Sequence, residues 1–273
     1  MARVVVGDVE VAYLEAGRGG RPLLVLHGFT GAKEDFADHL PALAEAGWHV
    51  VAPDLRGHGE TSKPDDEAAY SFEALRADAL GLVDHLGWDR FVLAGHSMGG
   101  MVAQVLALDH PDRVAGLVLL GTGHGPMEGL DPELVAVGVE LVRAGGIPAF
   151  RSIVAGVAGF DFAGSEVQRR LRRERPGFAE YAEAKVDRCS PAMLCALVPA
   201  MIAQQDRLAR LGHLDVPTLV LVGEDDVFLE ACRRMAATIP GAQLVVLDDA
   251  AHSPHFEAPD AWRAEVLAFL ANL

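Results

Sequence analysis

A serine hydroxyl attacks a carbonyl only when a turn exposes it and a base takes its proton. The stretch Gly95-His96-Ser97-Met98-Gly99-Gly100 sets a serine between two glycines, G-x-S-x-G. It directly follows an apolar run at residues 91–94 and directly precedes a helical pattern over residues 98–108. A strand-to-helix turn that sharp leaves no room for side chains at Gly95 and Gly99. It lifts Ser97 out of the sheet and sets its hydroxyl beside the unpaired N–H groups of a helix N-terminus. The Met98 N–H is then one donor for a tetrahedral oxyanion. Phe29 is the second, in the loop His27-Gly28-Phe29-Thr30-Gly31, where Gly28 allows close backbone approach. Losing one such donor costs ~3 kcal/mol of transition-state stabilisation.

The nucleophile needs a base, and the base needs an orienting acid. Of 11 histidines, His252 lies in a loop after a strand at residues 243–247 and before the last helix; His255 is its local alternative. The strand at residues 216–222 ends in Gly223-Glu224-Asp225-Asp226, and its spacing alone does not choose among the three carboxylates. His27 and His96 read as packing or loop-orienting residues. A metal reading of His252 and His255 lacks further ligands at suitable spacing. The expectation is therefore a site with no metal and no cofactor.

The elements that must hold these residues alternate. Residues 3–7 and 9–15 read as a hairpin. Strands follow at 22–27, 48–53, 91–94, 114–120, 218–222 and 243–247, with helices at 32–46, 72–86, 98–108, 229–238 and 260–270. Apolar strands alternating with helices predict a mainly parallel sheet covered on both faces, with the hairpin at one edge. Between Leu120 and Val216 lie about ninety residues with helical periodicity, including helix starts at Asp131-Pro132-Glu133 and helices at 166–174, 178–188 and 192–211. These predict a helical cap at residues 124–212 over the carboxyl edge of a core made of residues 1–123 and 213–273, the edge where open α/β sheets bind ligands.

The 273 residues are 51% apolar and 23% charged, and acidic residues outnumber basic ones 39 to 23 for a net charge of −16. That field opposes nucleic acid and anionic membrane surfaces, leaving a small-molecule substrate as the expected partner. The start carries no signal-length apolar run and no run reaches membrane-span length. Cys189, Cys195 and Cys232 are too few and too irregular for a disulfide framework, so a cytoplasmic location is expected. The sequence carries no signal for oligomeric state.

Taken together, the blocks His27-Gly28-Phe29, Pro53-Asp54-Leu55-Arg56-Gly57-His58-Gly59, Gly95 to Gly100, Gly223-Glu224-Asp225-Asp226 and His252 with Glu257 and Pro259 closely resemble the α/β-hydrolase superfamily. The resemblance implies an eight-stranded α/β-hydrolase fold with an inserted helical cap. It selects Asp226, three residues after the glycine closing its strand, as the acid. It selects His252, five residues before a Glu and seven before a Pro, as the base. Ala251 departs from the glycine common before that histidine. Asp54, Arg56 and His58 match a loop that is mainly architectural in this family. A serine at the elbow sets the chain apart from the haloalkane dehalogenase and epoxide hydrolase branches, where aspartate is the usual nucleophile.

The resemblance therefore implies a carboxylesterase-like serine hydrolase. The stretch Ser97 to Val102 also resembles enol-lactonases, and carbon–carbon bond hydrolases and perhydrolases use the same residues. Lyases of the menaquinone pathway share the Gly28 to Gly31 loop but tend to carry Arg where Met101 stands. Catalytically silent ligand receptors also use this fold. In the cap, Met127, Phe150, Phe160, Phe162, Met193 and Met201 are candidates to line an acyl pocket. Arg169, Arg170, Arg172, Arg173 and Arg175 read either as an anion handle or as a solvated face with Glu166–Arg170 and Arg170–Glu174 pairs.

Overall fold

In the computed structural model, which describes residues 1–127, 131–156 and 165–273, apolar runs become strands, the central ones buried on both faces. The strands are β1 (Ala2–Val6), β2 (Val9–Ala16), β3 (Arg21–Leu26), β4 (Trp48–Pro53), β5 (Phe91–His96), β6 (Val114–Leu120), β7 (Thr218–Gly223) and β8 (Gln243–Leu247). Among the described residues they form one eight-stranded sheet in the order β1-β2-β4-β3-β5-β6-β7-β8. β1–β2 and β2–β4 pair antiparallel, and the pairs from β4 to β8 are parallel.

The two-residue period of a strand divides these runs between two cores. Leu24, Leu26 and Leu93 join the layer under α2 (Phe72–His85, after α1 at Leu40–Glu45) and α3 (Met98–Asp109). Leu23, Val25 and Val92 join the opposite layer with Trp262 and Phe269. Between β6 and β7 come α4 (Pro132–Gly156), α5 (Glu166–Glu174), α6 (Phe178–Asp187), α7 (Pro191–Ile202) and α8 (Leu208–Leu211). The chain closes with α9 (Leu229–Thr238), α10 (Pro254–Glu257) and α11 (Pro259–Leu270). Among the described residues no helix is long and apolar enough to cross a membrane. All three cysteines are buried and unpaired.

Two helix expectations are corrected. Residues 32–46 form a single 3₁₀ turn, Lys33–Phe36, and then the short α1. The break is polar. Buried Lys33 bonds Asp54 through both its backbone N–H and its Nζ, and buried Asp35 bonds Tyr181 and Lys185 of α6. Residues 192–211 likewise split, α7 ending at Ile202 and α8 adding one turn. Within α4, Gly146 takes φ 61°, and Pro148 follows without an N–H to donate, so the helix kinks there.

The inserted helices are anchored to the core at several points. Arg143 of α4 clasps Glu67 with two hydrogen bonds of 2.7 and 2.8 Å. The Ser190 N–H donates to the Gly57 carbonyl at 2.7 Å. At Gly57 the backbone takes φ +82°, and a Cβ there would stand 2.6 Å from Cβ of Met193, the start of α7's buried face. Gly57→Ala is therefore expected to lower stability by about 1–3 kcal/mol through strain and overpacking at this seam. Urea unfolding checks this, and an unchanged midpoint would contradict it.

Candidate active site

At the end of β5 the backbone reverses at Ser97, whose φ of 52° lies in a region non-glycine residues rarely occupy. The Ser97 N–H still donates to the Leu120 carbonyl at 2.9 Å, extending the β5–β6 ladder, and Thr122 Oγ1 donates to the Ser97 carbonyl at 2.7 Å. A Cβ at Gly95 would lie 2.3 Å from the Gly99 carbonyl oxygen. One at Gly99 would lie 2.5 Å from the carbonyl oxygens of Leu26 and His27. The expected crowding is thus present, though at Gly99 it comes from the end of β3 and not from the turn itself.

The Ser97 hydroxyl lies 3.0 Å from Nε2 of His252. On the other side of the ring, Nδ1 lies 3.1 and 3.2 Å from the two carboxylate oxygens of Asp226. This geometry has Ser97 O–H donating to Nε2 and Nδ1–H donating to Asp226. Asp226 also accepts from the Phe228 N–H at 3.0 Å. Ser97, His252 and Asp226 are all buried, whereas Glu224 and Asp225 are exposed, Glu224 accepting from the Asp249 N–H. His255, the alternative base, is buried against Phe36 and His96 and reaches neither Ser97 nor a carboxylate.

Two backbone donors flank the elbow without an acceptor. The N–H groups of Phe29 and Met98 donate to no other group among the described residues. A Cβ on Gly28 would lie 3.3 Å from Cβ of Ser97, so the Phe29 loop passes directly over the elbow. His58 Nε2–H donates to the Phe29 carbonyl. His27 Nδ1–H donates to the Gly28 carbonyl at 2.8 Å, and its Nε2 accepts from the Leu55 N–H at 3.0 Å. Asp54 and Arg56 are buried in ion pairs with Lys33 and Asp78 and stay out of the cavity.

The His252 loop is pinned by residues whose roles sequence spacing does not reveal. His96 Nε2–H donates to the His252 carbonyl at 2.7 Å. Glu257 accepts from the Ala251 and Ser253 N–H groups at 2.6 and 3.2 Å, bracketing the base, and from Gln168 of α5 at 2.7 Å. Burial raises the Glu257 pKa against those three hydrogen bonds. Asp35 shows the opposite balance: burial opposes its charge, yet Lys185, His27 and the Tyr181 hydroxyl together hold its carboxyl below the usual range.

A cavity of about 210 Å³ opens over Ser97, walled on the core side by the Phe29 loop and Asp35, and on the insertion side by Phe150, Gln168, Arg172 and Lys185. Of the six residues expected to line an acyl pocket, Phe150 does so. Met127, Met193 and Met201 pack into the core instead, and Phe160 and Phe162 lie outside the described residues. The arginine run is also rearranged: Glu166 pairs with Arg169 and Arg173, not Arg170, which reaches Asp249. A larger open groove of about 800 Å³ sits at the amino ends of β6 and β7, among Arg90, Pro111 and His213, far from any of this machinery.

Residues 21–259 match the family model for the alpha/beta hydrolase fold, and the chain belongs to that family. It is a hydrolase by its relatives. It is 29% identical to "Epoxide hydrolase A" of Mycobacterium tuberculosis over 97% of this chain and 95% of that one. Among solved structures it superposes on the enol-lactonase from Burkholderia xenovorans LB400 with a TM-score of 0.85 at 26% identity, covering 99% of this chain and 100% of that one. It superposes on a malate-bound thermophilic esterase from Thermogutta terrifontis with a TM-score of 0.82 at 30% identity, covering 100% and 99%.

The buried histidines make stability depend on pH. Burial, reinforced by neighbouring His27, pushes the His58 pKa down to about 4, and burial beside His252 pushes that of His96 down to about 3. In the unfolded chain both imidazoles regain a pKa of ~6.5 and bind protons that the folded sites refuse. Stability is thus full above ~6.5 and falls as pH drops towards those folded values. The urea midpoint is expected to decrease from about pH 7.5 to about pH 5.5, above the range where ordinary carboxylates titrate. A flat midpoint across that interval would count against neutral burial of these rings.

Proposed function

We propose that the chain is a serine hydrolase that cleaves a carboxylic ester of a small substrate through an acyl-enzyme on Ser97. The observation that carries this reading is the unbroken hydrogen-bonded series from Ser97 through His252 to Asp226, set beneath two unengaged N–H groups. His252 takes the Ser97 proton as Oγ attacks the ester carbonyl, while Asp226 orients the ring and offsets its positive charge. The Phe29 and Met98 N–H groups receive the oxyanion. His252 then protonates the leaving alcohol, activates a water for attack on the acyl-enzyme, and returns a proton to Ser97. Residues 124–212 act as the cap that closes the cavity and selects the substrate. No metal and no cofactor enter any step.

The chemistry of the nucleophile also separates this reading from the epoxide hydrolase likeness. An aspartate that displaces at a saturated carbon leaves an ester, which activated water can cleave at its carbonyl. A serine doing the same would leave an ether with no carbonyl to attack, and the enzyme would stop after one turn. Ser97 therefore suits acyl transfer. A lactone is the second substrate form, favoured by the enol-lactonase superposition; it differs only in that the leaving alcohol stays tethered to the acyl group.

A panel of short-chain p-nitrophenyl esters and small lactones tests the reading, together with fluorophosphonate labelling. Hydrolysis is expected, with kcat reduced by roughly 10⁶ in Ser97→Ala and by roughly 10⁴ in Asp226→Asn, whose amide stabilises the wrong tautomer. Absence of both turnover and labelling in the wild type would overturn the proposal. Labelling without turnover on the panel would keep the nucleophile and shift the substrate to a carbon–carbon or lyase class.

A further inference from the structure

We propose that Arg172 binds a carboxylate carried by the substrate away from the scissile bond, so that the preferred substrates are half-esters of short dicarboxylic acids or their lactone equivalents. This rests on the ester-hydrolase reading of the same cavity and deepens it to a substrate class.

The argument begins with helix geometry. Five arginines fall within seven positions, so a helix must spread them around its circumference. Four of them find acids: Arg169 and Arg173 on Glu166, Arg170 on Asp249, Arg175 on Asp38. Arg172 is different. It lies one turn after Gln168, on the face that turns inward, and both line the catalytic cavity. It is half-buried and makes no ion pair or hydrogen bond among the described residues.

Among the described residues, the acids near that cavity are already committed. Asp35 accepts from the Tyr181 hydroxyl and from Lys185 Nζ at 2.9 Å. Glu257 is held by three N–H donors, one of them Gln168 itself. The Asp35–Lys185 pair cancels its own charge, which leaves the guanidinium as the uncompensated charge among the described residues of the cavity wall. In a chain with a net charge of −16, that is a local reversal of sign. A cavity with low-dielectric walls focuses such a field on whatever enters it. A guanidinium's forked donors match a carboxylate's two oxygens, so the ligand chemistry follows from the side chain. With a volume of about 210 Å³, the cavity limits the spacer between that carboxylate and the ester to a few carbons.

The test compares methyl half-esters of succinic, glutaric and adipic acids with neutral methyl esters of matched length, by proton release, in wild type, Arg172→Gln and Arg172→Lys. Wild type is expected to prefer a half-ester. The ratio of kcat/KM for half-ester over neutral ester should fall about 10- to 100-fold in Arg172→Gln, mainly through KM. Arg172→Lys should recover part of it, because the charge returns without the fork. An unchanged ratio in Arg172→Gln, or a wild-type preference for neutral esters, would overturn the proposal. Calorimetry of half-ester binding to Ser97→Ala, with and without Arg172→Gln, separates the two readings. Binding that requires Arg172 without wild-type hydrolysis would sink ester cleavage and keep the carboxylate site. Hydrolysis of neutral esters with Arg172-independent half-ester binding would do the reverse.

Discussion

The site is built on one strained residue. Ser97 sits at φ 52°, a conformation that costs a non-glycine side chain about 1–3 kcal/mol and persists only where its surroundings over-determine it. Here they do. β5 is paired on both edges, by β3 and β6, and α3 behind the turn is buried along most of its length. Gly95 and Gly99 let backbone pass where any Cβ would collide. Relaxing Ser97 would require breaking the middle of the sheet or withdrawing α3 from its core. The strain therefore holds, and it delivers three things at once: a hydroxyl turned out of the sheet onto the cavity, a helix N-terminus behind it, and a free Met98 N–H.

His252 has no comparable support from the sheet, because its loop follows the edge strand β8. Polar contacts take over the task. His96 grips the His252 carbonyl from the end of β5, and Glu257 grips the N–H groups on either side of His252. Gly223 explains the position of Asp226: a Cβ there would lie 2.3 Å from the Ala251 carbonyl oxygen, so β7 ends pressed against the His252 loop. Three residues later the chain has turned far enough to place Asp226 behind the ring.

How far the amino-acid sequence alone discloses these arrangements depends on the range of each interaction. The central strands are continuous apolar runs, and the elbow is a local strand-glycine-serine-glycine-helix pattern, so both are legible. The choice of Asp226 over Glu224 and Asp225 is not, because it depends on where Ala251 passes; only resemblance to a family makes it. Residues 32–46 look helical by composition, yet Lys33 and Asp35 are drawn into bonds with Asp54 and, some 150 positions away, Lys185. Those partners outcompete the local helix. Spacing marks Glu257 but not its function, which depends on two amides and a glutamine from a separate helix. The arginine run hides its meaning for the same reason. Only the acids that face it, from Asp38 to Asp249, decide which guanidinium is left over.

The contacts divide labour between the two parts of the chain, and not cleanly. In the proposed reaction the nucleophile, acid, base and both N–H donors all come from the core, and the insertion touches them chiefly where Phe150 packs edge-on against the Phe29 ring. The insertion supplies most of the wall that a substrate meets: Phe150, Gln168, Arg172 and Lys185. Changes on that wall can alter which molecule fits without moving Ser97. The exception is Gln168, which bonds the same Glu257 carboxylate that holds the His252 loop. Through it, a shift of α5 reaches the base within two hydrogen bonds, whereas a change at Arg172, one turn further along the same helix, reaches only the ligand. Two neighbouring inward-facing residues thus separate the control of reactivity from the control of recognition.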